Sequence, residues 1–284
     1  MAEVIVTGAS GLVGTALGTA LERDGATVRR LSLRDPTKPI DLAAADAVVH
    51  LAGETVAGRW TDAKREAILA SRRDGTRRLV DAIEAMTTRP KVLLSASAIG
   101  WYGDRGDEVL TERSPGGLGF LADVCRVWEA QAARAEALGV RLVVLRTGVV
   151  MARQAMALRR LVLPFRFGAG GPLGPGTQWW SWVHIDDVVG IATAALADER
   201  YQGPVNLTAP GSLVQREFAR TLGRVLRRPA LAPTPAFVLR AALGDFSTEL
   251  LWSRRVIPTR ALDLGYRFAH PELDGALRHL LKRS

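Results

Sequence analysis

The 284-residue chain is predicted to fold as an α/β protein, a doubly wound parallel sheet of Rossmann type with a smaller C-terminal lobe. Three observations predict it. Apolar, strand-like runs alternate with helical patterns through the first two-thirds of the chain. The runs lack period-two polarity, as strands covered on both faces do. The first run, VIVT, leads straight into Gly8, Gly11 and Gly14 at the start of a helix.

Each element follows from local pattern. Behind the glycines, Val13, Ala16, Leu17, Ala20 and Leu21 share one face of a helix from Val13 to Arg23. Gly25 then separates it from a second strand, Thr27 to Leu33. AVVHLA (Ala47 to Ala52) reads as a third strand, Thr61 to Met86 as a long helix and VLLSAS (Val92 to Ser97) as a fourth strand. A loop from Gly100 to Gly117, a helix from about Leu118 to Leu138 and the strand RLVVLRT (Arg141 to Thr147) complete the alternation. Ligands of such sheets lie at the carboxyl ends of the strands. Gly8 to Gly14, Leu51 to Glu54, Ser95 to Ser97 and Arg146 to Val149 should therefore surround one crevice.

Beyond Val150 the texture changes. Phe165 to Gly176 is rich in glycine and proline and reads as a loop over the crevice. A helix from about Ile185 to Ala197 and a strand at Val205 to Thr208 should return to the sheet, and Gln215 to Ser284 reads as helices broken by prolines. The expected division is a dinucleotide-binding domain of residues 1–164 with 185–208 returning to it, and a substrate lobe of 165–184 and 209–284.

The glycine turn carries the first functional expectation. A tight turn, close approach of backbone to pyrophosphate and packing of helix on strand each exclude a side chain, and a helix N-terminus then faces the phosphates. Thr7, Gly8, Ser10, Gly11, Leu12, Val13 and Gly14 are the expected lining. The single cysteine, Cys125, excludes an internal disulfide and fits a reducing cytoplasm; no segment approaches a membrane span, and the N-terminus is already the first strand, against a signal peptide. The net charge of +9 is spread over scattered arginine pairs with no single tract, which points to a solvated surface rather than to nucleic acid.

TGASGLVG, HLAGE at His50 to Glu54, SASAIGWYGDRG at Ser95 to Gly106, VLRTGVV at Val144 to Val150 and WVHIDDVV at Trp182 to Val189, in that order, resemble the extended short-chain dehydrogenase/reductase superfamily. SRRDGTRRLV, CRVWE, GAGGPLGPGTQWWSWVHIDD and ALDLGYRF are similar to one poorly characterised subgroup, the epimerase-family proteins with a C-terminal domain of unknown function. The resemblance implies an NAD(P)-binding core and a C-terminal substrate lobe, without implying epimerisation.

Arg34 sits where NADP-preferring relatives place a basic residue, and an arginine there pairs with a 2′-phosphate that an acidic residue would repel. NADP is therefore expected over NAD, with Ser32 or Arg30 as helpers and Asp35 as the dissenting neighbour. Leu51, Ala52 and Gly53 match the family's segment past the adenosine and diphosphate, and Ser95 and Ala96 belong to the strand end beside it. Glu54 either caps the following segment or faces the substrate.

Ser97 matches the superfamily's catalytic serine, but the helix that should supply Tyr-x-x-x-Lys has Cys125 and Glu129 in those places. A carboxylate beside a thiol disfavours thiolate. Glu129 is thus expected as the acid/base, its proton affinity raised by partial burial, with Cys125 as neutral lining. Tyr102 is expected over the nicotinamide, Arg146 as a cation facing the substrate and Trp180, with Trp179 and Trp182, as an apolar wall. His184, Asp186 and Asp187 read as a turn into a helix capped by Asp186, and no metal is expected because no third ligand is spaced for one. The leading expectation is hydride transfer with a non-standard acid/base group. A nucleotide-binding sensor that has lost turnover and a nucleotide-sugar epimerase are the alternatives.

Overall fold

The computed structural model describes residues 2–281. In chain order the elements are β1 (Glu3–Thr7), α1 (Leu12–Arg23), β2 (Thr27–Leu31), β3 (Ala47–His50), α2 (Asp62–Glu84), β4 (Val92–Ala98), β5 (Val109–Leu110) and α3 (Phe120–Ala133). They continue with β6 (Arg141–Thr147), β7 (Val149–Met151), α4 (Met156–Arg166), β8 (Trp179–Trp180), β9 (Trp182–His184), α5 (Ile185–Ala197), β10 (Gly203–Leu207) and β11 (Leu213–Val214). The C-terminal part adds α6 (Gln215–Leu226), α7 (Ala236–Leu243), α8 (Thr248–Leu251), β12 (Arg255–Val256), α9 (Thr259–Asp263) and α10 (Leu273–Leu281).

Six strands form a parallel sheet in the order β10-β6-β4-β3-β1-β2. The chain leaves β1 toward β2 on one side and returns to β3 on the other, so the topological switch point lies between Thr7 and His50. Both faces are apolar, which explains the missing polar alternation. Val4, Val6, Val49 and Leu94 pack against Leu17 of α1 and Ile191 of α5, while Ile5, Val48 and Leu93 pack against Leu79 and Ile83 of α2.

The structure revises several sequence boundaries. The second strand stops at Leu31, because the chain then turns around Asp35, whose carboxylate accepts the amide and hydroxyl of Thr37 at 3.0 and 2.7 Å. The helix expected to reach Leu138 ends at Ala133 and is followed by a single 3-10 turn to Gly139, which sits at φ +78°. The glycine-rich loop begins later than expected, since Leu158, Val162 and Phe165 continue one buried face of α4. The segment between Gly100 and Gly117 is not all loop: β5 within it pairs with β12, tying the C-terminal lobe to the sheet domain.

Candidate functional site

At the switch point the glycines are required by space. Gly8 has φ +68°, and a Cβ there would lie 2.6 Å from the carbonyl of Leu51; a Cβ on Gly14 would lie 2.4 Å from the carbonyl oxygen of Gly8. Gly11 begins α1 with no side-chain cap and no acidic residue in the first turn, so the helix's leading amides remain available to an anion. Chain crossing and helix terminus together fit a dinucleotide pyrophosphate.

Past β2, Arg34 is exposed, and among the described residues its guanidinium has no hydrogen bond or ion pair. Asp35 is folded back on Thr37, which together with Arg78 holds its carboxyl below the usual range. The proposed helpers differ in their availability: Arg30 is paired with Glu22 at 2.7 Å, whereas Ser32 accepts the amide of Arg34 at 3.4 Å.

The third strand end is braced from below. His50 lies fully buried between Thr7 Oγ1 at 2.7 Å and Thr76 Oγ1 at 2.9 Å, and burial, with Arg72 nearby, pushes its ring down to about 4. Arg72 donates to the carbonyls of Glu54 and Ile68 and passes close enough that a Cβ on Gly53 would lie 3.2 Å from its Cζ. Glu54 is held by Lys64 at 2.5 Å, which lowers its carboxyl, and its amide donates to Ser71. Arg72 and Lys64 lie on α2, with nothing in the helical pattern to distinguish them from surface residues.

A connected polar group lies at the ends of β4 and β6. Ser97 donates to Glu129 Oε1 at 2.6 Å, and Arg146 clamps both oxygens of that carboxylate at 2.9 and 2.8 Å. Arg146 also donates to Tyr102 Oη at 3.2 Å, and Tyr102 donates to Asn206 Oδ1 at 2.7 Å. With side-chain exposures of 4% for Arg146 and 12% for Glu129, the pair is an interior one. This bears on two expectations: Glu129, expected as the acid/base, and Arg146, expected as a cation facing the substrate, are bound to each other. Each neutralises the other.

Cys125 is buried beside Ala98, and burial followed by the Glu129 charge pushes its thiol up to about 11, leaving it an uncharged lining group. Tyr102 is fully buried, and burial raises its phenol as well. Ser95 is turned toward the carbonyl of Ala96 at 3.4 Å.

A cavity of about 390 Å³ extends from Ala57 and from Val149, just past the end of β6, into the C-terminal lobe, walled by Leu161, Phe165, Phe218 and Leu250 among others; the Ser97–Glu129–Arg146 group does not line it. Its polar members are largely engaged: Gln215 Oε1 accepts the amide of Leu173, and Glu249 pairs with Arg254. Trp180 lines it as part of a packed wall, edge-on to Phe218 with its indole N–H on the carbonyl of Leu250. Trp179 lies elsewhere, its indole bound to Asp107, and Trp182 is fully buried.

The turn into α5 also differs from expectation. The cap is His184, whose Nδ1 accepts the amide of Asp186 at 3.1 Å, so Asp186 is not the cap. Asp187 is buried and accepts the amides of Ala269 and His270 at 2.7 and 3.0 Å. Local spacing offers His184 and Asp186 no third ligand, yet His270 and His279 come from far along the chain to stand beside them.

Comparison with known proteins agrees with this architecture. Residues 4–207 match the NAD dependent epimerase/dehydratase family, and residues 234–280 match a domain of unknown function, DUF1731. Epimerase family protein SDR39U1 of Homo sapiens is 36% identical, over 98% of this chain and 99% of its own, and epimerase family protein YfhF of Bacillus subtilis is 34% identical over 98% of each. The crystal structure of human SDR39U1 with NADPH superposes with a TM-score of 0.92 at 35% identity, covering 98% of both chains. A UDP-glucuronic acid 4-epimerase from Bacillus cereus, at 18% identity and a TM-score of 0.79, shares the fold. With its glycine turn, its parallel sheet and its C-terminal lobe all matched, this chain belongs to the NAD dependent epimerase/dehydratase family and to the epimerase-family branch that carries the DUF1731 domain.

Proposed function

We propose that this protein is an NADP(H)-dependent oxidoreductase that moves hydride to or from a small, largely apolar molecule held in the cavity beside the carboxyl end of the sheet. The observation that carries the cofactor choice is the exposed, unpaired guanidinium of Arg34, just past the end of β2, the strand that pairs with β1 beside the glycine turn, with the competing Asp35 carboxylate folded away. The relative solved with NADPH supports it. The cofactor, when bound, supplies the hydride chemistry, while the chain orients it and excludes water.

Within the chain, Ser97 is the group we assign to proton handling, with the Glu129 carboxylate, paired to Arg146, as the acceptor that orients its hydroxyl. The serine hydroxyl is aligned on the carboxylate, and Arg146 fixes that carboxylate's orientation. Cys125 serves as lining and Tyr102 as a strut between Arg146 and Asn206. Substrate class follows from the cavity. A nucleotide sugar needs many hydrogen-bonding partners, whereas this wall is apolar and its glutamine and glutamate are engaged elsewhere; Arg160, exposed on the lining, offers one charge to an amphipathic ligand. The occupied Glu129–Arg146 pair also favours a second reading, a dinucleotide-binding sensor without turnover. The basic surface is read as solvated, without nucleic-acid or membrane partners, since many arginines are paired with carboxylates, as Arg29 is with Asp41 and Arg73 with Asp74. Among the described residues no helix is long and apolar enough to cross a membrane, and a cytoplasmic setting is proposed from the lone reduced cysteine.

The test is consumption of NADPH by the purified protein with apolar aldehydes, enones and quinones, beside UDP- and GDP-sugars. Oxidation with apolar acceptors and none with the sugars is the expected result. Tight NADPH binding with no oxidation by any acceptor would instead support the sensor.

A further inference from the structure

The chain has four histidines, and three of them meet at one place. His184 ends β9 and caps α5, His270 precedes α10 and His279 lies on α10; with Asp186 they offer ligand atoms that all fall within 4.8 Å of one another. We propose that His184, Asp186, His270 and His279 form a binding site for a divalent transition-metal ion of the zinc class, which joins the C-terminal helix to the sheet domain.

Two of the separations already suit a shared ion, while the widest, up to 4.8 Å, exceeds the roughly 4.2 Å that two bonds of about 2.1 Å can span and must contract on binding. Nε2 of His184 and Nδ1 of His279 are 3.2 Å apart, and Nε2 of His270 and Oδ2 of Asp186 are 3.4 Å apart. Bonds of about 2.0–2.1 Å to a tetrahedral ion place neighbouring ligand atoms roughly 3.3–3.4 Å apart. Three imidazoles and a carboxylate, with no thiolate, select zinc, cobalt, nickel or copper over calcium or magnesium. Binding through His184 Nε2 moves the ring proton to Nδ1, which gives up the Asp186 amide it accepts at 3.1 Å and turns to donate to Asp186 Oδ2 at 3.4 Å, so the first turn of α5 readjusts when the ion binds.

The scaffold holds the ligands in place. Asp187 grips the amides of Ala269 and His270, which sets the position of the His270 ring against His184, with ring centroids 3.8 Å apart. Leu273, Ala276, Leu277 and Leu280 bury one face of α10 and fix where His279 emerges. Asp186 and His279 are exposed, which gives an ion its way in, while His184 is buried. Four protein ligands fill a tetrahedron, the pattern of a structural site rather than a catalytic one.

Zn²⁺ and Co²⁺ titrated calorimetrically into the metal-free full-length protein test this. One ion per chain, a rise in Tm reversed by chelator and the visible bands of tetrahedral Co²⁺ are expected. The His279→Ala and Asp186→Asn variants, both at exposed positions, should retain their circular dichroism and NADPH binding. Loss of an outer partner alone typically costs about 10–100-fold in metal affinity, so His279→Ala should weaken binding by at least about 100-fold. No binding of either ion to the wild type, or unchanged affinity in folded His279→Ala, would overturn the site.

Discussion

Arg146 and Glu129 form an interior ion pair whose loss should be strongly felt. Removing one member of a buried pair strands the other charge, at a cost of about 3–5 kcal/mol, whereas replacing both with apolar residues is often near neutral. Arg146→Met and Glu129→Leu should each lower urea-unfolding stability by about that much, and the double variant should recover a large part of it; strictly additive losses would mean that the pair is not coupled. Arg34 acts on binding instead. A charge-assisted contact contributes about 1.5–3 kcal/mol, so Arg34→Ala should lower NADP(H) affinity by about 10–100-fold and leave NAD(H) unchanged, as titration calorimetry would show. Equal wild-type affinities for the two cofactors would remove Arg34 from the site.

At the scale of elements, the junction of β1 with α1 was legible and the joints between distant elements were not. Gly8, Gly11 and Gly14 act through local chain geometry, so their spacing announces them, whereas Arg34 was placed by resemblance to NADP-preferring relatives. The Glu129–Arg146 pair joins α3 to β6, and the His184–His279 contact spans 95 positions; neither leaves a periodic trace, because each depends on how the helices dock. The cap of α5 was misread for a local reason: a histidine ring took the role that the sequence pattern gave to Asp186. Gly14→Ala would press a Cβ to 2.4 Å from the Gly8 carbonyl, backbone that does not yield cheaply. That variant should be destabilised by about 1–3 kcal/mol and should lose stabilisation by NADPH in thermal unfolding, while Gly275→Ala, with open space around it, serves as control.

Across the whole molecule, His50 couples stability to pH through its place between β1, β3 and α2. Its ring titrates at about 4 in the fold against an ordinary value of 6.5, so its contribution is fully present above pH 6.5 and is lost as pH falls toward 4. The difference corresponds to about 3 kcal/mol, readable as declining unfolding free energy between pH 7 and pH 4.5, with a flatter profile in His50→Gln. The parallel sheet and the C-terminal lobe were both legible from alternation and composition. The apolar cavity was not, since its wall is assembled from α4, α6, α7 and α8. A bulky residue at the exposed, lining position Ala157 should therefore block substrate without touching the glycine cradle: Ala157→Trp is expected to raise KM for apolar acceptors while NADPH affinity stays unchanged.

The central claim is that hydride passes between NADP(H) and a molecule in that cavity. Its most direct measurement is mass spectrometry of product formed from NADPH deuterated at C4 of the nicotinamide. Deuterium in the reduced apolar acceptor, lost on substitution Ala157→Trp, is the predicted result. Unlabelled acceptor throughout, with NADPH bound but intact, would contradict it.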